Sequence, residues 1–229
     1  MLDAVAIPLY LFLRQSIETF RTTGAILPSS PALASAIVAP VKRMAGERPL
    51  RIVEVGAGTG AISKALEDVL TSRDELDLIE LNPQFADCLR QWARKRSNWG
   101  PKIRVIESDV CLVQPLKPYD ALICGLPFNN FPAPLVERIF EHFLAMTAPN
   151  APISFYEYIA IRKVKSLFIN HQQRQQLRET ATCIKDWVSR YKVSAKYVLA
   201  NVPPAAVHHL RAPEREAEME LVELSGTGM

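Results

Sequence analysis

Residues 51–60 read R-I-V-E-V-G-A-G-T-G, and this stretch decides the fold. An apolar run that carries one acid, Glu54, ends in three glycines at alternate positions, and apolar residues then recur at helical spacing from Ile62 to Leu70. The pattern predicts a strand, a glycine turn and a helix, since glycine adopts positive φ and has no Cβ to block a ligand. Free N–H groups at the helix start would face that ligand. A purely structural turn is the alternative.

A second acid, Glu80, ends the next predicted strand, twenty residues after Gly60. Nucleotide-binding α/β units place a carboxylate there to accept both ribose hydroxyls. The dinucleotide pattern G-x-G-x-x-G would need the third glycine one residue later, and Glu54 would repel a pyrophosphate. A cofactor with a cationic amino group and no phosphate fits better. That description matches S-adenosylmethionine.

The remaining core alternates between strand and helix patterns. Strands are predicted at 50–55, 77–80, 102–107, 119–124 and 153–158, and helices at 60–70, 83–96 and 133–148. This alternation indicates an α/β fold with parallel strands joined by right-handed crossovers. A polar-faced helix at 167–191 then precedes a closing antiparallel pair at 193–200 and 205–210.

The chain before this core predicts helices. Residues 8–20 place Leu and Phe at helical spacing, either as a helix packed on the domain or as an interfacial helix with Arg14 and Arg21 on lipid headgroups. Ser30 followed by Pro31 predicts the start of a helix that runs to Gly46. We therefore divide the chain into N-terminal helices (1–46), a cofactor-binding domain (47–211) and an acidic tail (212–229).

Composition is that of a soluble domain, with 229 residues, 48% apolar and 22% charged. The net charge of +3 is too small to indicate a nucleic-acid partner, although residues 162–196 hold nine Lys and Arg. The four cysteines show no paired spacing, so we expect neither disulfides nor a metal site. The N-terminus lacks the basic region of a secretory signal, and we expect a cytoplasmic protein.

The segment 125–132, G-L-P-F-N-N-F-P, follows the fourth predicted strand. It resembles the N-x-P-[FY] motif of amine-modifying methyltransferases, including the N-L-P-Y-N form of the ribosomal RNA adenine N6-dimethyltransferases. Gly125 stands where those RNA enzymes have the asparagine whose amide is expected to hold the adenine N6.

Three blocks, residues 12–30, 53–60 and 125–132, resemble the bacterial phospholipid N-methyltransferases, class I enzymes that convert phosphatidylethanolamine to phosphatidylcholine. The resemblance implies a Rossmann-like, mostly parallel sheet of seven strands with helices on both faces and an N-terminal helical extension. It also implies peripheral attachment to the inner face of the cell membrane through the N-terminal helix. Downstream of Tyr158 the match is looser. Ornithine lipid and other aminolipids offer the same primary amine and stay alternative substrates, as does RNA adenine.

Together with the strand ends, this resemblance predicts the site residues. The predicted cofactor-binding residues are Ser29 and Ser30 in a lid, then Glu54, Gly56, Ala57, Gly58, Thr59, Gly60, Glu80, Leu81, Asn82, Asp109, Val110, Gly125 and Leu126. The predicted substrate-binding residues are Leu126, Pro127, Phe128 and Asn130, and the predicted catalytic residues are Asn129, Tyr156 and Tyr158. Asp109 would accept from the adenine amine or would cap a turn.

The expected reaction is an in-line methyl transfer from a sulfonium to a neutral amine. The growing cation could rest against Phe128, Tyr156 or Tyr158, because aromatic faces stabilise ammonium groups. Ordinary strand packing is the alternative for the two tyrosines. We identify no general base in the sequence. The expected partners are an aminophospholipid and an anionic membrane surface, contacted by the N-terminal helix and by the basic residues 162–196, and we expect no nucleic acid.

Overall fold

The computed structural model describes residues 29–96, 100–159 and 170–214. One seven-stranded sheet has the order β3-β2-β1-β4-β5-β7-β6. The strands are β1 (Arg51–Val55), β2 (Glu75–Glu80), β3 (Lys102–Glu107), β4 (Ala121–Cys124), β5 (Pro152–Tyr158), β6 (Lys192–Val198) and β7 (Ala205–Arg211). Strands β1 to β5 are parallel, and β7 runs antiparallel to both β5 and β6. The predicted α/β fold class and the closing antiparallel pair are confirmed.

The helices are α1 (Pro31–Ile37), α2 (Ala39–Met44), α3 (Pro83–Lys95), α4 (Ala133–Met146) and α5 (His171–Tyr191). The central strands β1 and β4 are buried along nearly their whole length, because helices cover both faces of the sheet. One core layer is aromatic and lies under α4 and α5. In it Phe140 stacks on Phe128 and Trp187, with ring centroids 4.9 and 5.2 Å apart.

The helix predicted at 60–70 is wrong. The structure has a short 3₁₀ helix, Ser63–Leu66, flanked by turns. Most backbone hydrogen bonds of this segment join residues that are three apart, such as the bond from the Ala65 N–H to the Ile62 carbonyl at 2.8 Å. The apolar residues Ile62 and Leu66 are still buried, so the apolar spacing that suggested an α-helix is satisfied by tighter turns.

The helix predicted from Ser30 to Gly46 is divided in two. Its start is confirmed, because the Ser30 hydroxyl accepts from the Leu33 N–H at 3.2 Å and Pro31 is the first helical residue. The division falls at Val38, where Pro40 supplies no N–H to continue the ladder of hydrogen bonds.

Several predicted features lie outside the described residues: the helix at 8–20, residues 162–169 of the basic segment, and residues 215–229 of the acidic tail. Within the described part of the chain, no helix is long and apolar enough to cross a membrane.

Candidate functional site

Three glycines form the turn that follows β1 at the carboxyl edge of the sheet. Their φ angles are +69° at Gly56, +57° at Gly58 and +81° at Gly60, a backbone region that other L-residues rarely adopt. A Cβ on Gly56 would lie 2.7 Å from Cδ2 of Leu126, whereas the space beside Gly58 is open for 4 Å. The turn is therefore packed on one side and accessible at its centre.

Glu80 ties the end of β2 to this turn. Its Oε2 accepts a hydrogen bond from the Gly58 N–H at 2.8 Å, and its Oε1 accepts from the Asn82 N–H at 2.8 Å. Burial raises the pKa of Glu80, while these backbone donors act in the opposite direction. Each carboxylate oxygen can accept a second hydrogen bond, so both stay able to bind ribose hydroxyls.

Glu54 is fully buried in β1, directly before the turn. Its Oε2 accepts from the Ser63 hydroxyl at 2.6 Å, and its Oε1 has no hydrogen-bond partner among the described residues. Burial raises its pKa to about 8, and the nearby charge of Glu80 acts in the same direction. A buried carboxylate with one unpaired oxygen is destabilised until a cation reaches it, so this residue fits the amino group of the predicted cofactor.

Other predicted cofactor residues have structural roles in this state. Oδ1 of Asp109 caps a 3₁₀ turn by accepting from the Cys111 N–H at 2.9 Å, so the capping alternative holds for that oxygen. Val110 is buried in the aromatic core layer. Asn82 caps α3. The Ser30 hydroxyl caps α1, and its N–H bonds Oδ1 of Asn201 at 3.0 Å.

The segment after β4 contacts the glycine turn and then forms a 3₁₀ helix, Phe128–Asn130. Phe128 is 2% exposed and also contacts Phe155, with centroids 5.6 Å apart. Its ring is therefore part of the aromatic core, although Phe128 also lines the pocket beside this segment. That its ring supports a growing cation stays a prediction. Leu126 is buried against Gly56.

A pocket opens beside this segment, between residues 127–130 and the end of β5. It brings together the three residues predicted to be catalytic. Oδ1 of Asn129 is buried without a hydrogen-bond partner in the described chain. The rings of Tyr156 and Tyr158 meet edge to face at 5.3 Å, and Tyr156 also hydrogen-bonds Ser29. Burial raises the pKa of Tyr156 well above its ordinary value, so it is a neutral phenol.

The structure adds residues that the sequence did not single out. Ser63 holds Glu54, and its only sequence signal is its place three residues after the last glycine of the turn. Glu157 also lines the pocket, and its Oε2 lies 3.3 Å from Nε2 of His208. The signal for Glu157 was an acid between two tyrosines at a strand end. No metal-binding cluster of His, Cys, Asp or Glu is found within the described residues.

Comparison with known proteins places the chain among methyltransferases. Residues 52–150 match the model of a methyltransferase domain. The chain is 31% identical over 147 residues to the ornithine lipid N-methyltransferase of Singulisphaera acidiphila, a match that covers 62% of this chain and 73% of that protein.

Two further similarities are narrower. The tRNA1(Val) (adenine(37)-N6)-methyltransferase of Aliivibrio fischeri is 35% identical over 80 residues, which is 35% of this chain and 33% of that protein. The magnesium protoporphyrin IX methyltransferase of Synechocystis PCC 6803, solved with bound S-adenosylmethionine, superposes with a TM-score of 0.55 at 10% identity. That superposition covers 87% of this chain and 83% of the other, and it supports the fold alone.

Proposed function

Because the chain belongs to the class I S-adenosylmethionine-dependent methyltransferases, we propose that it methylates the primary amine of a membrane aminolipid. The similarity to an ornithine lipid enzyme over 147 residues carries this proposal. The pocket between residues 127–130 and the end of β5 supports it, because the buried amide oxygen of Asn129 there lacks a donor in the described residues.

The cofactor residues fit the proposed methyl donor. Glu54 would hold its cationic amino group, which would supply a partner for the buried Oε1. Glu80 would accept the ribose hydroxyls, and Gly58 leaves open space for the ligand. When bound, the cofactor supplies a methyl group on a positively charged sulfur.

The pocket residues would bind and orient the amine. Oδ1 of Asn129 accepts one amine hydrogen and so fixes the direction of the nitrogen lone pair. The rings of Tyr156 and Tyr158, which line the pocket, stabilise the positive charge that develops on nitrogen, by about 0.5–2 kcal/mol. Alignment of the two reactants supplies most of the acceleration, on the order of 7–11 kcal/mol.

We propose ornithine lipid as the first substrate to test, because the curated relative acts on it. Phosphatidylethanolamine and its mono- and dimethylated forms come second, on the resemblance of residues 12–30 and 125–132 to the phospholipid enzymes. We also propose that the protein works on the inner face of the cell membrane. The N-terminal residues 8–20 and the basic residues of 162–196 would attract anionic lipid, at about 1 kcal/mol per basic residue near the surface.

A methyl-transfer assay tests the substrate class. Labelled S-adenosylmethionine is supplied with vesicles of ornithine lipid, of phosphatidylethanolamine or of its monomethyl form, and separately with tRNA. We expect label in at least one aminolipid and none in tRNA. Label in tRNA alone would replace the proposal with the activity of the tRNA relatives.

A further inference from the structure

A buried carboxylate lies in the wall of the substrate pocket. Glu157 is 8% exposed and stands near the end of β5, between Tyr156 and Tyr158. It lines the same pocket as Asn129, whose Oδ1 lacks a donor in the described chain. The pocket therefore offers a cationic amine both a neutral acceptor and a negative charge.

His208 supports this carboxylate from the neighbouring strand. Nε2 of His208 lies 3.3 Å from Oε2 of Glu157, and the imidazole stacks on Phe155 with centroids 5.1 Å apart. Nδ1 of His208 is buried and has no partner within the described residues. The ring hydrogen is therefore best placed on Nε2, from which it is donated to Glu157.

The other two acids of the site belong to the predicted cofactor site. Glu80 accepts from the Gly58 and Asn82 N–H groups, and Glu54 accepts from Ser63 beneath the glycine turn. Both lie next to the glycine turn, Glu80 at the end of β2 and Glu54 in β1. Glu157 is on the strand that borders the substrate pocket.

We propose that Glu157 receives the ammonium head group of the substrate and removes one of its protons before methyl transfer, with His208 as its positioning residue. This inference rests on the proposed function. A primary ammonium has no lone pair and cannot attack a methyl group. A lysine-like amine has a pKa of about 10.4, so at neutral pH almost all of it is in this inactive form.

The step balances in atoms and charge. One proton passes from the ammonium to a carboxylate oxygen of Glu157, which leaves a neutral amine. The nitrogen lone pair forms the new N–C bond, and the electron pair of the broken C–S bond stays on sulfur. The product is a methylammonium and a neutral thioether, and the proton on Glu157 passes to water when the product leaves.

Glu157→Gln tests the step while it preserves the shape of the side chain. The matched control is Glu141→Gln, an exposed glutamate on α4. In the aminolipid assay at pH 7 we expect kcat to fall about 100-fold or more for Glu157→Gln, the usual range for loss of a general base. Its dissociation constant for S-adenosylmethionine should match that of the wild type, which also shows that the variant is folded.

The pH profile separates proton removal from a structural role. Among the described residues, the titratable groups that line the pocket or pair with Glu157 include Tyr156 and Tyr158 on β5 and His208 on β7. Without Glu157 the substrate must lose its proton to water. The kcat of Glu157→Gln should therefore rise up to tenfold per pH unit toward the pKa of the amine, more steeply than in the wild type. The proposal would be overturned if kcat of Glu157→Gln rose with pH no more steeply than kcat of the wild type, or if kcat at pH 7 fell less than threefold.

A binding measurement keeps the inference testable even if no lipid is methylated. Hexylammonium chloride is titrated into the protein with S-adenosylhomocysteine present, and hexanol is the uncharged control. We expect Glu157→Gln to weaken the binding of hexylammonium at least fivefold and to leave the affinity for hexanol unchanged. Equal affinities for hexylammonium in the wild type and the variant would contradict the carboxylate's role. Absence of label in any lipid with wild-type protein would contradict only the proposed function.

The role of His208 is tested through the same profile. His208→Gln keeps an N–H that can reach Glu157, and His208→Ala does not. We expect His208→Ala to lower kcat with little change in KM and to steepen the pH profile, and His208→Gln to restore part of the loss. If both variants lost kcat equally and kept the pH dependence of the wild type, His208 would contribute through packing alone.

Discussion

Gly125 lies so close to Gly56 that a Cβ built on it would be 2.7 Å from the Gly56 carbonyl oxygen. The segment after β4 and the turn after β1 are thus in backbone contact. Any side chain at position 125 would push them apart, so in this chain the contact requires glycine at the position where the RNA adenine enzymes have asparagine.

Gly125→Asn should therefore destabilise the protein by about 1–3 kcal/mol, the usual cost of overpacking. Denaturant unfolding measures this loss. Gly58→Asn is the comparison variant: position 58 has open space, so its cost comes from the positive φ alone, which asparagine adopts more readily than most residues. Equal free energies of unfolding for Gly125→Asn and the wild type would show that the contact is easily relaxed.

Glu80→Ala should weaken the binding of S-adenosylmethionine at least tenfold, about 1.4 kcal/mol. The change removes the proposed ribose acceptor and also the anchor of the Gly58 N–H. Calorimetry measures the dissociation constant. Glu75→Ala is the control, since Glu75 lies at the opposite end of β2 and pairs with Arg51. An unchanged constant for Glu80→Ala would rule out this placement of the ribose.

Cofactor affinity should depend on pH through Glu54. Burial raises its pKa to about 8, so below pH 8 the cationic amino group must displace a proton. We expect the affinity to rise between pH 6 and pH 8, by up to tenfold per unit, and to level off as the cofactor's own amino group, with a pKa of about 8, loses its charge. Glu54→Gln should bind weakly with little pH dependence over this range.

The raised pKa of Glu54 also affects the stability of the protein when no cofactor is bound. A pKa above the ordinary 4.5 means that the folded state binds more protons, so this group makes the protein less stable as pH rises from 4.5 to 8. The free energy of unfolding of Glu54→Gln should lack that decline. Parallel pH curves for the wild type and the variant would contradict the raised pKa.

His209 should act on stability in the opposite direction. Burial lowers its pKa to about 4, helped by the charges of Arg43 and Lys196, and its Nδ1 lies 2.8 Å from the Ser154 hydroxyl. Between pH 4 and 6.5 the unfolded chain binds more protons, so this contribution is full above pH 6.5 and is lost as pH falls to 4.

Denaturant unfolding of His209→Gln at several pH values measures this contribution. The difference in free energy of unfolding from the wild type should shrink toward pH 4. The control is His171→Gln, at an exposed position of α5. A difference that stays constant with pH would show that His209 contributes through packing alone.

The glycine turn, Glu54 and Glu80 could be predicted from the sequence, because strand–turn–helix chemistry is local and the acids stand at fixed distances from the glycines. The Glu157–His208 pair could not, since 51 residues separate its members and only the antiparallel alignment of β5 and β7 joins them. The core position of Phe128 was missed for a related reason. An aromatic residue after a strand looks the same in sequence whether its ring faces a ligand or the core.

The short 3₁₀ helix after the turn shows another limit. Ile62, Leu66 and Leu70 have helical spacing and are all buried, but tighter turns bury them equally well. The spacing of apolar residues predicts which side chains are buried. It does not determine whether the backbone between them forms an α-helix or a 3₁₀ helix.

The most direct test of the account uses one pair of vesicle samples. Both contain the same aminolipid, ornithine lipid or phosphatidylethanolamine, and in one sample the primary amine has been acetylated. With labelled S-adenosylmethionine, we predict label in the extracted lipid of the amine sample and none in the acetylated sample. Equal label in both, or no label in either from protein that binds the cofactor, would contradict amine methylation of a lipid.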